Sequence, residues 1–108
     1  MENDTTEFDQ LPLDQRLNLQ TGRVYWDELA PHFARGVVLT VDRTVDLIGL
    51  AEIMVADDKD KISSLMEIGH LEKTSVQSAS KWNDSGQTLW ALVVAPWVLV
   101  QEERPGEN

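Results

Sequence analysis

Two histidines, an isolated glutamate and an arginine beside a glycine are the side chains best suited to acid–base or anion chemistry in this chain: His32, His70, Glu52 and Arg35. Glu52 is the one acid in the apolar run Leu47–Ala56, where burial would raise its pKa toward a proton-transfer role. The plainer reading makes it the solvent-facing position of that segment. His32 follows Pro31 in a core-directed stretch, and His70 stands at a helix end, where an imidazole suits the dipole. Arg35, between Ala34 and Gly36, suits a helix C-terminus or an anion. A small hydrolase or isomerase built from Glu52, His32, His70 or Arg35 is one reading of the chain. It requires that two of these side chains converge in one pocket.

Other chemistries fit less well. Asp57, Asp58 and Asp60 are clustered, but a calcium loop counted from Asp58 puts Ser63 where glycine belongs and Gly69 where glutamate belongs. Helix capping accounts for these acids. With no cysteine and two separated histidines, neither a zinc site nor a disulfide is expected, and no metal or cofactor is expected. None of the serines sits in a Gly-x-Ser-x-Gly elbow, and the six glycines are too dispersed for a phosphate loop. Asp27 and Glu28 are helix neighbours that point about 100° apart, so they do not form a carboxylate pair. The four tryptophans stand out. Trp26 and Trp82 fall on core-facing positions. Trp90 and Trp97 share one β segment at an odd spacing, so they occupy opposite faces unless a bulge at Pro96 reunites them as an aromatic platform.

The 108 residues carry 19 acids and 9 bases, a net charge of −10. Residues 1–14 contribute −5, residues 102–108 contribute −2, and the body between them −3. Such a chain repels phosphate backbones and anionic membranes, so neither nucleic acid nor membrane is an expected partner. The first residues lack a basic and an apolar region of the signal-peptide kind. The longest apolar run, Leu89–Val100, has 12 residues and contains Pro96, too few to span a bilayer. A cytoplasmic location is expected.

The elements that must position these side chains follow from periodicity. Residues 1–13 read as a flexible acidic arm, 14–102 as one globular domain and 103–108 as a flexible tail. Tyr25, Leu29 and Phe33 recur every four residues, which predicts a helix from Thr21 to Arg35, kinked or broken at Pro31 and stopped at Gly36. Val37–Val41 is a central strand. Asp46 caps a largely buried helix, and Asp57–Asp60 opens the next, with Ile62, Leu65 and Met66 inward and Gly69 at its end. His70–Lys73 is a short edge strand. Thr74 and Gln77 form a capping box for a helix that turns Val76, Ala79 and Trp82 inward. Thr88–Gln101 is one long β segment with both alternating sets apolar. The order is α-β-α-α-β-α-β: an α+β domain with helices on a sheet of three to four strands, in which 37–41 pairs with 88–95.

Several of these segments resemble a family of small bacterial proteins, domain of unknown function 2288. They are Trp26-x-x-Leu29, Phe33-Ala34-Arg35-Gly36, Asp57-Asp58-Lys59, Gly69-x-Leu71 with Trp82 after it, and Trp90 with Pro96-Trp97-Val98-Leu99-Val100-Gln101. The similar span covers roughly residues 17–102, and the closing Pro-Trp-Val-Leu-Val-Gln run is its most specific part. The resemblance implies a bacterial, cytosolic, stand-alone domain and carries no activity, cofactor or catalytic residue.

The reading preferred over an enzyme is a non-catalytic protein-interaction domain. Its expected surface is Trp97, Val98, Leu99 and Val100, with Arg35. A small domain with few helices should leave the stretch after Pro96 exposed, and pairing with a two-fold copy would hide it, giving a homodimer. The competing expectation is that the N-terminal arm covers the same surface through Leu11, Leu13 and Leu17.

Overall fold

A computed structural model describes residues 11–103 of the chain. Five helices and five strands follow along them: α1 (Leu13–Gln20), β1 (Gly22–Tyr25), α2 (Trp26–Ala34), β2 (Val38–Val41) and α3 (Leu47–Val55), then α4 (Lys59–Glu67), β3 (Leu71–Lys73), α5 (Val76–Ser85), β4 (Thr88–Val94) and β5 (Trp97–Glu102). The strands form one mixed sheet in the order β1-β4-β5-β2-β3. β5 runs parallel to β2, and the other neighbours are antiparallel.

Side chains one apart on a strand point to opposite faces, so the register sorts the sheet into two cores. Leu92 and Leu99 are cross-strand partners, Leu39 lies beside Leu99, and Val41 lies opposite Leu71. These residues meet Leu17 of α1 and Leu47, Leu50 and Ala51 of α3, with Ile62 and Leu65 of α4 packed against them. On the other face Val38, Leu89, Val98 and Val100 meet Trp26 and Leu29 of α2 and Ala79 and Trp82 of α5. The sheet is therefore covered on both sides, and each fully buried leucine contributes about 2 kcal/mol of transfer free energy.

Much of the local punctuation is as expected. Asp46 is the N-cap of α3, and Asp58 caps α4, its carboxylate accepting the Lys61 N–H at 3.2 Å. Gly36 and Gly69 follow their helices at φ of +76° and +82°, where a Cβ would be strained.

Five expectations need correction. Residues 22–25 are an edge strand rather than the start of a helix, and α2 begins at Trp26. β-branched Val24 and aromatic Tyr25 suit extended backbone, and pairing with β4 supplies the segment's hydrogen bonds. Pro31 does not divide α2 into two helices, since only the first-turn Asp27 carbonyl loses its bond. The helix after β3 is capped by Ser75, whose hydroxyl accepts the Ser78 N–H at 3.0 Å, while Thr74 bonds Thr40 across the sheet instead. The 88–101 segment is a hairpin that turns at Ala95-Pro96, so the sheet has five strands rather than three or four. For the same reason β2 pairs with β5, not with β4: Val38 lies beside Val98, and Val93 lies on Val98's other side.

The arm and tail expectations fall mainly on residues 1–10 and 104–108, outside the described residues. At the boundary, Leu13 already begins α1 and packs on the first core.

Candidate functional site

The four residues named for an enzyme site are distributed over the fold. His32 and Arg35 meet at the C-terminal end of α2, the Arg35 guanidinium donating to the His32 Nδ1. The His32 carbonyl accepts the Val37 N–H, which places the pair at the start of β2. His70 is at the other end of that strand, its carbonyl accepting the Asp42 N–H at 3.0 Å. A four-residue strand spans about 13 Å, so His70 stands well apart from His32. Glu52 lies half-buried on α3, the helix layer over the opposite face of the sheet from α2. The structure thus joins Arg35 to His32 and joins neither to Glu52 or His70.

The expected interaction strip is not a surface. Val98, Leu99 and Val100 are 4 %, 0 % and 0 % exposed, because β5 is the middle strand of the sheet. The helices suffice to cover the sheet, three on one face and two on the other. Trp97 is half-buried and packs on the first core, as does Trp90. The two tryptophans do share a face, through the hairpin register rather than a bulge. The side of the sheet that they occupy is overlaid by α1 through Leu13 and Leu17, which was the competing expectation, and Leu11 is half-buried. Trp26 and Trp82 are core residues with ring centroids 5.6 Å apart.

Sequence reasoning missed a polar cluster at the C-terminal end of β5. The Trp82 indole N–H and the Lys81 ammonium donate to the Glu102 Oε2 at 2.7 and 2.9 Å, and the Arg43 guanidinium is 4.0 Å from its Oε1. Glu103 accepts the Thr88 hydroxyl at 2.8 Å and pairs with Arg23 at 3.1 Å, and that guanidinium also lies 4.6 Å above the Trp90 ring. The Gln101 amide donates to the Asp42 and Val45 carbonyls at 3.0 and 2.7 Å, fixing the loop that enters α3. Residues 101–103 therefore tie β5 to α5, β1, β4 and the 42–45 loop. The cations and carboxylates neutralise one another, and the cluster acts as a structural tie.

Burial pushes the Glu102 carboxyl up, but the Trp82 and Lys81 hydrogen bonds with the Lys81 and Arg43 charges outweigh it, so its pKa lies below the ordinary glutamate range. Asp42 is held low by the hydroxyl and N–H of Thr44, aided by His70 and Arg43. For a depressed carboxylate the stabilisation is present above the unfolded pKa and is lost as pH falls through the folded one. Glu102→Gln should therefore lower the urea midpoint at pH 7, with the gap to wild type closing as pH falls below about 4. A gap equal at pH 7 and pH 3 would contradict the assignment.

Among the described residues, two concavities are open to ligands or partners. A hollow of about 330 Å³ lies between the start of α2 and the end of α5, lined by Tyr25, Trp26, Asp27, Trp82, Asn83 and Gly86. Its two indoles are buried, so the exposed Tyr25 forms its aromatic rim. A second, about 320 Å³, is an apolar groove between α3 and α4, formed by Ile53, Leu65 and Ile68 and edged by Asp60, Lys61 and Ser64. Ile68 is 64 % exposed, and Val55 and Met66, at the ends of the same two helices, are 49 % and 43 % exposed. Met66 thus faces away from the core, unlike the expectation, and so does Val76 in the first turn of α5, which is 70 % exposed while Ala79 and Trp82 are buried. The one sequence signal for the groove is an isoleucine just past a helix end, before the glycine that stops it. Neither concavity is lined by His32, Arg35, Glu52 or His70.

The profile of a family described as a protein of unknown function (DUF2288) matches residues 12–102. The chain belongs to this family. The matched DUF2288 span runs from just before α1 to the end of β5, so both cores, Glu102 and the α3–α4 groove lie inside it. The NMR solution structure of PA1075 from Pseudomonas aeruginosa is similar, at 35 % sequence identity and a TM-score of 0.75. The likeness covers 100 % of this DUF2288 chain and 98 % of that chain. No curated protein matches this chain. Among the described residues no helix is long and apolar enough to cross a membrane, and no three His, Asp or Glu side chains are grouped to hold a metal.

Proposed function

We propose that this protein is a cytoplasmic, non-catalytic protein-interaction domain of a bacterium, and that it binds through the groove between α3 and α4. The observation that carries the reading is Ile68. A large aliphatic side chain left 64 % exposed beside Ile53 and Leu65 is costly in water, and covering it by a partner recovers that cost. The acidic character of the chain supports a protein partner over nucleic acid. The likeness to PA1075 supports a bacterial source.

The test compares two baits, wild type and Ile68→Asp, in affinity purification from the native cell. A protein retained by the first and lost by the second is the expected result. Identical sets would overturn the reading. So would turnover in a broad hydrolase and isomerase screen that His32→Ala or Glu52→Gln abolishes.

A further inference from the structure

We propose that two copies of this chain pair through α4, antiparallel, about a two-fold axis at Ser64. The proposal rests on reading the α3–α4 face as an interaction surface and names its occupant as a second copy. Asp60, Lys61, Ser64, Glu67 and Ile68 are all exposed, and their spacings of three and four place them on one side of α4. The set is symmetric about Ser64, with members three and four residues away in each direction. Ser64 is small, which lets two helix axes approach closely at that point.

Charge selects the copy and its direction. Glu67 closes α4, and the last turn has no base, so this acid sits at the negative end of its own helix dipole. Lys61 is in the first turn, at the positive end, with its side chain 68 % exposed and only a 4.0 Å approach to Asp58. A second α4 running the other way sets Lys61 against Glu67 of the partner subunit, and the symmetry makes the contact twice. The same symmetry sets Ile68 of each copy opposite Asp60 of the partner subunit, at the edge of the groove that Asp60 shares with Ile53 and Lys61, and so covers the exposed aliphatic side chain at the end of α4. The contact is isologous, so it closes at two copies. A helix of nine residues is about 14 Å long, short for a standard interface of about 1,600 Å², so the dimer is weak, with a Kd of about 10–100 μM.

Sedimentation equilibrium on the full chain tests it. Between about 10 μM and about 1 mM the mass should rise from 12.2 kDa toward twice that value, and Ile68→Asp should stay at 12.2 kDa throughout. Lys61→Glu and Glu67→Lys, both surface changes, should each weaken the dimer about five-fold or more by setting like charges together. Mixing the two variants should restore association as a heterodimer, and the double variant should restore it alone. A species of 12.2 kDa at every concentration, or a mixture no tighter than either variant, overturns the proposal. If the chain is monomeric yet Ile68→Asp still loses a cellular protein in the bait comparison, the groove serves a different chain. That result sinks the dimer and leaves the interaction reading standing.

Discussion

Val100→Asp is expected to abolish the folded state. Val100 is 0 % exposed on the middle strand, and its side chain sits in the second core with Trp82 and Leu89. An aspartate there must bury an unpaired carboxylate or stay protonated, at a cost above about 4 kcal/mol. A domain of this size has about 5–15 kcal/mol in total, so the cooperative thermal transition seen by circular dichroism should be lost or shifted far down. The control is Val93→Asp, one strand away on the same face but 61 % exposed, which should melt within a few degrees of wild type. Equal melting of the two variants would mean that β5 is not a central strand. The comparison also separates a core role for residues 98–100 from an interface role, in which the aspartate would dissociate partners and leave the fold intact.

Trp82→Ala is the second large effect. The indole is 1 % exposed and packs against Trp26, so truncation leaves a cavity in the second core and should cost about 3–5 kcal/mol in urea unfolding. Trp82→Phe divides that cost. It keeps an aromatic ring in the space but removes the N–H that Glu102 accepts at 2.7 Å, for a loss of about 1–2 kcal/mol. It should also bring the Glu102 pKa back toward ordinary values, so that the variant loses less stability on acidification than wild type does. A Trp82→Ala variant within 1 kcal/mol of wild type would show that the surrounding helices close the space or that the ring is not buried as described.

The strand 38–41, the helices α3 and α5, and the short β3 are legible because their signals are local. Alternation, helical spacing and caps such as Asp46 and Asp58 act within a few residues of one another. What the sequence hid depends on distance. β1 reads as the start of a helix because Tyr25 continues the four-residue spacing of Leu29 and Phe33, and nothing local announces that β4, more than sixty positions on, will pair with it. The hairpin was hidden because both sides of 88–101 are apolar, so no polar face marks where one strand ends. Read as one continuous segment, residues 98–100 run past the helices to a surface, whereas the hairpin turns them back into the middle of the sheet. The Glu102 cluster joins residues fifteen to eighty positions apart and has no local signature. The catalytic candidates were legible as residue types, and only the three-dimensional placement shows that His70 and Glu52 do not join His32 and Arg35.

β5 is the last strand along the described chain and the third across the sheet, between a hairpin partner made just before it and a parallel partner made some sixty residues earlier. During synthesis, β1, β2, β3 and β4 all emerge before the strand that unites them. In the sheet β5 joins a β1–β4 pair to a β2–β3 pair, and without it each pair would keep an open edge. The β2–β5 join is non-local, so its loop-closure entropy must be met before its contacts form. The polar tie at Gln101, Glu102 and Glu103 fastens this uniting strand to α5, β1, β4 and the 42–45 loop, so the two halves of the sheet are held together at one end of their shared strand.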